Sequence, residues 1–265
     1  MKKSIIIMIF AVLFCYCQKQ ESEPTAVLRV NLASTYYLPI FTEIVDVQVA
    51  FTDTINPSTE NWIAVTNAKG IYNLAELSNG IKKLLGIEKL ENGKITKLKI
   101  NFGDKNFYLQ RNPTDSTKLD TVRIDYASNF NKELIVPVEI PVNNYVISNV
   151  LIDIDVYHSL FIDKNKKYYI SPKIRVYDFG YVASVKGSAT PGDSIAGIIL
   201  SSDGDTLVTR PNSAGSYKID GLRKGDWKIQ VVPFNTTKFK DTTFQVKLDK
   251  LIETNVDAVK LTPKK

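Results

Sequence analysis

The acidic pair Asp153 and Asp155 is the arrangement most able to do metal chemistry. The two residues stand two apart in the run NVLIDIDVY, so in a β-strand both side chains lie on one face. Such carboxylates could bind calcium, which takes about six to eight oxygen ligands. The glycine-shaped loop of dedicated calcium sites is missing, so we favour a face on which the aspartates are solvated or paired with Lys or Arg. We predict no metal and no other cofactor.

His158 is the only histidine of the sequence, which excludes metal sites and mechanisms that need two imidazole groups. Ser159 follows it directly, but adjacent strand residues point to opposite faces, so the two cannot form a nucleophile and its base. The sequence contains no phosphate-binding glycine loop, reactive thiol or zinc-ligand spacing. It therefore predicts no catalytic residue.

Tyr36 and Tyr37 are the candidate ligand-binding residues. They lie in the loop-like segment ASTYYLP, which ends at Pro39 and has no evident strand partner. Exposed aromatic rings can stack on a sugar or cover an apolar part of a peptide. Tyrosines in β proteins also fill cores and form cross-strand pairs, so that alternative stays open.

The first residues are predicted to be a secretion signal. MKKSIIIMIFAVLF places two lysines before an apolar run that is too short to span a bilayer. The following CYCQKQESEP resembles the lipobox and tether of bacterial lipoproteins, with residues 1–16 removed and Cys17 acylated, for example with palmitate. Tyr16 is larger than the residue that usually precedes the acylated cysteine, so Cys15 is the alternative site.

The lipid predicted on Cys17 makes the membrane the first expected partner, because each buried methylene contributes about 0.8 kcal/mol. By analogy with diderm lipoproteins, Gln18 rather than Asp after the cysteine suggests the outer membrane. Glu21 and Glu23 resemble the signal for surface export in Bacteroidetes lipoproteins. We therefore expect an outer-membrane lipoprotein that is exposed at the cell surface or faces the periplasm.

Length and charge restrict the function classes further. The 265 residues suit two domains after a signal peptide and a tether over residues 17–25. The 34 basic and 28 acidic residues leave a formal net charge of +6, dispersed along the chain. A nucleic-acid-binding protein concentrates Lys and Arg on one face, so no nucleic-acid partner is expected.

Alternating apolar and polar residues predict β-strands from Val27 onward, the pattern of strands with one buried face. Leu28, Val30 and Leu32 share a face, and in IVDVQVAF the predicted buried face begins at Val45. Further strands are predicted at residues 62–65, 121–126, 133–140, 149–157 and 168–177. So many short strands indicate an all-β protein of two β-sandwich domains.

One segment is predicted to be a short helix instead. Ser78 is a plausible N-cap, Ile81, Leu84 and Leu85 have helical spacing, and Gly86 stands where a helix would end. A turn at ENGK then begins a strand that ends at Phe102, whose lysines form a solvated face.

The N-terminal domain, predicted at residues 26–180, resembles a family without known activity. YNLAELSNGIKKLLG, GKITKLKINFGDKNFYL and LIDIDVYHSLFIDKNKKYYISPKIRVY follow, in order and spacing, a domain of unknown function common in bacterial lipoproteins, especially of Bacteroidetes. The family's usual Asp-Ala-Pro turn after the first strand is replaced by ASTYYLP. The resemblance implies an architecture and no chemistry.

The C-terminal domain, predicted at residues 181–265, has short strands between Asp-Gly and Ala-Gly turns. In SAGSYKIDGLRKGDWKIQVV two alternating runs should face the core: Tyr217, Ile219 and Leu222, then Trp227, Ile229 and Val231. The segment resembles the carboxypeptidase regulatory-like domain, a transthyretin-like Greek-key sandwich. That resemblance implies a spacer or protein-contact unit without catalytic residues.

These patterns together predict a lipid-anchored, non-enzymatic protein of the cell envelope that binds a glycan or a protein, or acts as a spacer. One alternative is a polysaccharide hydrolase that uses two carboxylates about 5 to 10 Å apart in one cleft. Another alternative is an accessory subunit of an outer-membrane transporter.

Overall fold

The computed structural model describes residues 25–34 and 39–264, which form strands arranged in five sheets. The strands are β1 Ala26–Ser34, β2 Ile40–Asp53, β3 Asn61–Ala64, β4 Gly70–Asn73, β5 Lys83–Leu90, β6 Gly93–Phe102, β7 Phe107–Arg111, β8 Leu119–Arg123, β9 Asp125–Tyr126, β10 Glu133–Val142, β11 Ile147–Ile154, β12 Leu160–Ile162, β13 Tyr168–Ile170, β14 Ile174–Asp178, β15 Ala183–Thr190, β16 Ile195–Ser202, β17 Asp205–Thr209, β18 Ser216–Leu222, β19 Gly225–Pro233, β20 Thr242–Leu248, β21 Glu253–Asn255 and β22 Val259–Lys260. The helices are the α-helix α1 Val156–Ser159 and three 3₁₀ turns at Leu74–Leu77, Phe179–Tyr181 and Gly192–Ser194. None of these helices has the length and apolarity needed to cross a bilayer.

Strands β1 to β14 form the N-terminal unit, which is built from two main sheets. One sheet has the order β14-β11-β1-β5, and β1 runs parallel to β11. The other has the order β10-β6-β2-β7-β8, with β3 and β4 also paired to β2. A third, small sheet joins β12, β13 and β9. The inward faces of the main sheets share one hydrophobic core, as the alternation along each strand predicts.

The predicted inward face of β1 is confirmed, because Leu28, Val30 and Leu32 are fully buried. The prediction for Val45 is wrong, because this side chain is 43% exposed. The pairing of β2 with β6 shifts between Ile44 and Asp46, so Val45 is the extra residue of a β-bulge. Beyond the bulge, the inward and outward positions of the strand are exchanged. The sequence pattern does not reveal the bulge.

The predicted helix from Ser78 to Gly86 is also wrong. A 3₁₀ turn ends at Leu77 with Ser78 as its C-cap, while residues from Lys83 onward form β5. Gly86 lies within β5 and pairs with Val30 of β1. The short α-helix of the N-terminal unit is α1, whose first two residues, Val156 and Tyr157, end the segment predicted to be strand.

Strands β15 to β22 form the C-terminal unit with its own core. One sheet has the order β18-β15-β21, with β22 also on β15, and the facing sheet has the order β17-β16-β19-β20. The predicted core residues are all at most 2% exposed: Tyr217, Ile219, Leu222, Trp227, Ile229 and Val231. These residues belong to a hydrophobic cluster separate from that of the N-terminal unit, and an all-β fold is confirmed for both units.

The two units meet on the outer face of the β14-β11-β1-β5 sheet. Asn79 accepts a hydrogen bond from the Lys218 backbone N–H (2.6 Å) and donates one to the Ser216 carbonyl (3.2 Å). Lys82 pairs with Asp220 at 2.6 Å. The contact covers the half of the sheet near Ser34, where β1 ends, and leaves the half near Ala26 uncovered.

Candidate functional site

The predicted anchor and tyrosine loop lie outside the residues that the structure describes. This applies to Cys17, to the alternative Cys15, and to Tyr36 and Tyr37. The roles of these residues stay predictions. The description resumes at Pro39, directly after the tyrosine loop.

Pro39 lines an apolar pocket of about 210 Å³ at the end of the N-terminal unit. The other lining residues are Ile40, Tyr108, Leu109, Gln110, Leu160 and Tyr168. The pocket forms because β2 begins beside β7, where Ile40 pairs with Tyr108, while β12 and β13 supply the opposite wall. Elements distant in sequence thus build one apolar pocket, whose lining includes Pro39.

Two tyrosines shape the wall of this pocket. The rings of Tyr108 and Tyr168 lie edge to face, with centroids 4.9 Å apart and planes inclined by 65°. The Tyr108 hydroxyl donates a hydrogen bond to Gln110 Oε1 at 3.1 Å. Burial, with a smaller contribution from Tyr168, raises the pKa of Tyr108, so its phenol is neutral at physiological pH. An apolar wall with a few fixed polar groups suits a ligand that has both an apolar face and hydroxyl or amide groups.

Asp153 is not the solvated residue that one alternative predicted. Its neighbours Ile152 and Ile154 are buried as expected, yet Asp153 is itself only 1% exposed and forms an ion pair with Arg175 of β14. The pairing alternative is therefore confirmed for Asp153. Burial raises the pKa of Asp153 while the Arg175 charge acts in the opposite direction.

Asp155 does not share a strand face with Asp153, because β11 ends at Ile154. Asp155 instead caps α1, where its carboxylate accepts hydrogen bonds from the His158 backbone N–H (3.2 Å) and contacts His158 Nδ1 (2.7 Å). The described residues contain no group of three or more His, Cys, Asp and Glu side chains placed to hold a metal ion.

Ser159 has a structural role in the turn after α1. Its hydroxyl donates to the Asp155 carbonyl and accepts a hydrogen bond from the Lys173 backbone N–H at 2.7 Å. The side chain is 1% exposed, so no substrate reaches it. His158 bonds to Asp155 rather than to this hydroxyl.

A second cluster of charges, which sequence reasoning missed, lies between the two units. Asp153 of the N-terminal unit and Asp220 of the C-terminal unit line the same small cavity, together with Tyr177, Thr209 and Lys218. Asp220 is held by Lys82, and Lys218 lies 3.6 Å from its other oxygen. In the sequence, Asp153 and Asp220 each read as an ordinary strand residue, because only the contact between the two units brings them to one cavity.

The volume of this cavity determines whether a substrate fits between Asp153 and Asp220. It measures about 20 Å³, enough for about one water molecule. A glycosidase must fit a sugar ring and the attacking water between its carboxylates. Asp153 therefore stabilises the N-terminal unit through Arg175, Asp220 joins the two units through Lys82, and neither carboxylate has room for a polysaccharide.

A comparison with protein families identifies the N-terminal unit. The family described as a domain of unknown function, DUF4382, matches residues 33–172. The chain belongs to this family. The resemblance to a domain of unknown function is thereby confirmed over β2 to β13, and the DUF4382 match includes the tyrosine loop and the apolar pocket. The description of the family names no activity.

No curated protein matches the chain, and the similar solved structures are distant. The TIE protein of Bacillus anthracis shares 9% identity over 90% of this chain, at a TM-score of 0.25. This chain spans only 34% of the TIE protein. The shaft pilin SpaA of Lactobacillus rhamnosus GG shares 8% identity at a TM-score of 0.24, covering 91% of this chain and 98% of the pilin. The minor pilin GBS52 of Streptococcus agalactiae shares 11% identity at a TM-score of 0.23, covering 89% and 97%. These scores are too low to assign a function to this DUF4382 protein.

Proposed function

We propose that the chain is a non-enzymatic lipoprotein of the outer membrane, anchored through Cys17, that binds a glycan or an envelope protein. The pocket lined by Tyr108 and Tyr168 carries this proposal, because it is apolar, holds a few polar groups and includes Pro39, which follows the predicted tyrosine loop in the sequence. The C-terminal unit acts as a carboxypeptidase regulatory-like spacer. It presents the pocket without contributing to it.

The buried carboxylates support a non-enzymatic role. Asp153 pairs with Arg175, Asp155 caps α1, and Asp220 pairs with Lys82. Each buried carboxylate thus stabilises the fold. A general acid or nucleophile must instead reach a bound substrate.

The binding test uses a glycan array and a pull-down from envelope extracts. Tyr36→Ala combined with Tyr37→Ala should weaken binding while the melting temperature stays close to that of the parent. Tyr168→Leu keeps apolar volume in the pocket but removes an aromatic face. It should weaken binding about fivefold, since stacking contributes about 1 kcal/mol.

Tyr181→Leu is the matched control, because this tyrosine is 67% exposed and lies outside the pocket. Affinity that is unchanged in both pocket variants would remove the pocket from consideration. Hydrolysis of a polysaccharide that is lost on changing one carboxylate would overturn the non-enzymatic role. Stable co-purification with an outer-membrane transporter would favour the accessory-subunit alternative.

A further inference from the structure

Exposed apolar side chains cluster at the end of the N-terminal unit where the described chain begins. Tyr145 is 82% exposed and Ile55 78% exposed, and the neighbouring Val146 and Ile147 are 50% and 45% exposed. We call these four residues the tether-end surface. Ile55 lies on the loop after β2, Tyr145 and Val146 lie on the connection from β10 to β11, and Ile147 is the first residue of β11.

Hydrogen bonds join these loops to the first described residue of the chain. The Tyr145 backbone N–H donates to the Thr25 carbonyl at 3.2 Å. Asn92, in the turn between β5 and β6, accepts from the Asn144 N–H on its side chain (2.6 Å) and from the Thr54 N–H on its carbonyl (3.0 Å). The two apolar loops, the turn and Thr25 therefore form one connected surface.

The backbone of Tyr145 adds a second observation. Its φ of +63° lies in the left-handed region, which a bulky side chain rarely occupies and which glycine or asparagine would occupy more easily. Such outliers concentrate at functional positions. Here the unusual backbone holds an aromatic ring in solvent with little contact to the protein.

The position of the predicted lipid determines whether the tether-end surface lies near the bilayer. Between Cys17 and Thr25 the chain advances eight residues, which span at most about 28 Å when fully extended. On the proposed anchoring through Cys17, on which this inference rests, the end of the unit that contains Thr25 is held near the bilayer. The C-terminal unit contacts the half of the sheet away from Thr25.

We propose that the tether-end surface rests on the lipid bilayer. Tyr145 would lie at the level of the headgroups, where an apolar ring with a polar hydroxyl is favoured, and Ile55 and Val146 would enter the interface. Lys94 and Glu139, on strands that lead into this end, pair with each other at 3.6 Å. The four exposed side chains are apolar or aromatic, so we expect apolar burial to hold the surface in place.

Spin labelling of the acylated full-length protein tests this contact. The only cysteines in the sequence are Cys15 and Cys17, so a mature protein acylated at Cys17 has no free thiol, and introduced cysteines are labelled uniquely. Ile55→Cys, Tyr145→Cys and the control Ile162→Cys are labelled with a nitroxide. They are then reconstituted in vesicles of phosphatidylethanolamine and phosphatidylglycerol. Ile162 is 55% exposed and lies on β12, beyond the opposite end of β11.

We expect the labels at positions 55 and 145 to collide several-fold more often with oxygen, relative to a water-soluble nickel chelate, than the label at 162. Equal ratios at all three positions, in protein that floats with the vesicles, would overturn the inference and leave the anchor intact. Labels at 55 and 145 shielded from both reagents would indicate a protein partner and would overturn it too. An unacylated Cys17 by intact mass, with protein that does not float, would overturn the anchor and the inference together.

Discussion

At the scale of single residues, the pair of Asp153 and Arg175 shows how one buried charge requires another. Asp153 is 1% exposed, and isolated ions are strongly disfavoured in such surroundings. Arg175 lies opposite it on the paired strand, so the register of β11 and β14 sets their contact. The pair therefore depends on a correctly assembled sheet.

Removing one member of this pair should destabilise the protein strongly. Arg175→Met leaves Asp153 buried without its partner, and we expect the free energy of unfolding to fall by about 3 to 5 kcal/mol. Urea denaturation at neutral pH measures the change. The double variant Asp153→Leu with Arg175→Met should recover most of the loss, because no unpaired charge remains.

A surface pair provides the control for this prediction. Arg123 pairs with Asp125 at 2.7 Å, but the arginine side chain is 73% exposed. Arg123→Met should therefore cost less than about 1 kcal/mol. Equal losses in the free energy of unfolding for Arg175→Met and Arg123→Met would contradict this prediction. They would show that burial of the Asp153–Arg175 pair does not determine its contribution to stability.

At the scale of elements, β5 shows tertiary contacts overriding a local pattern. The segment from Ser78 to Gly86 has a cap, helical spacing and a terminal glycine, yet a helix this short is marginal in water. Pairing with β1 satisfies the backbone and buries Leu85 completely, while Leu84 stays 45% exposed. Gly86 serves a packing purpose: a Cβ built there would lie 2.7 Å from Val65 Cγ1.

Gly86→Ala should therefore destabilise the N-terminal unit by about 1 to 3 kcal/mol, the usual cost of overpacking. Thermal or urea unfolding measures the loss. Val65→Ala in the same chain removes the obstructing methyl group, so the double variant should lose less than the sum of the two single changes.

Gly180→Ala is the matched glycine control. A Cβ there approaches only the Asp178 side chain, at 3.4 Å, which is ordinary contact. A loss at Gly86 no larger than at Gly180, or strict additivity with Val65→Ala, would contradict the proposed packing role.

At the scale of the whole molecule, two cores are joined by a polar contact. Each unit has its own hydrophobic cluster, and the contact between them includes Asn79, the ion pair of Lys82 and Asp220, and a water-sized cavity. Interfaces of this polar kind allow independent folding unless they are large.

A fragment that begins near Ser184 should fold alone, with a β-type circular dichroism spectrum and a cooperative melt. Trp227 would be its only tryptophan, so fluorescence reports the packing of its core directly. We expect a lower melting temperature than in the full chain, because Asp220 loses Lys82. A fragment that is unfolded where the full protein is folded would show instead that the two units fold as one.

Local patterns determined much of the strand architecture. Alternation identified the buried faces of β1, β18 and β19, because a strand with one buried face needs period two wherever it lies in the fold. The family resemblance also came from sequence alone, since it depends on the order of short motifs.

Tertiary structure alone decided the bulge at Val45, the strand at Gly86 and the burial of Asp153. It also assembled the pocket wall from Tyr108 and Tyr168, which stand sixty residues apart in the sequence. Each outcome depends on a partner from a distant segment, and the free energy of that contact exceeds the small local preferences that a sequence pattern records. The sequence determined which faces must be buried, whereas the fold determined what they are buried against.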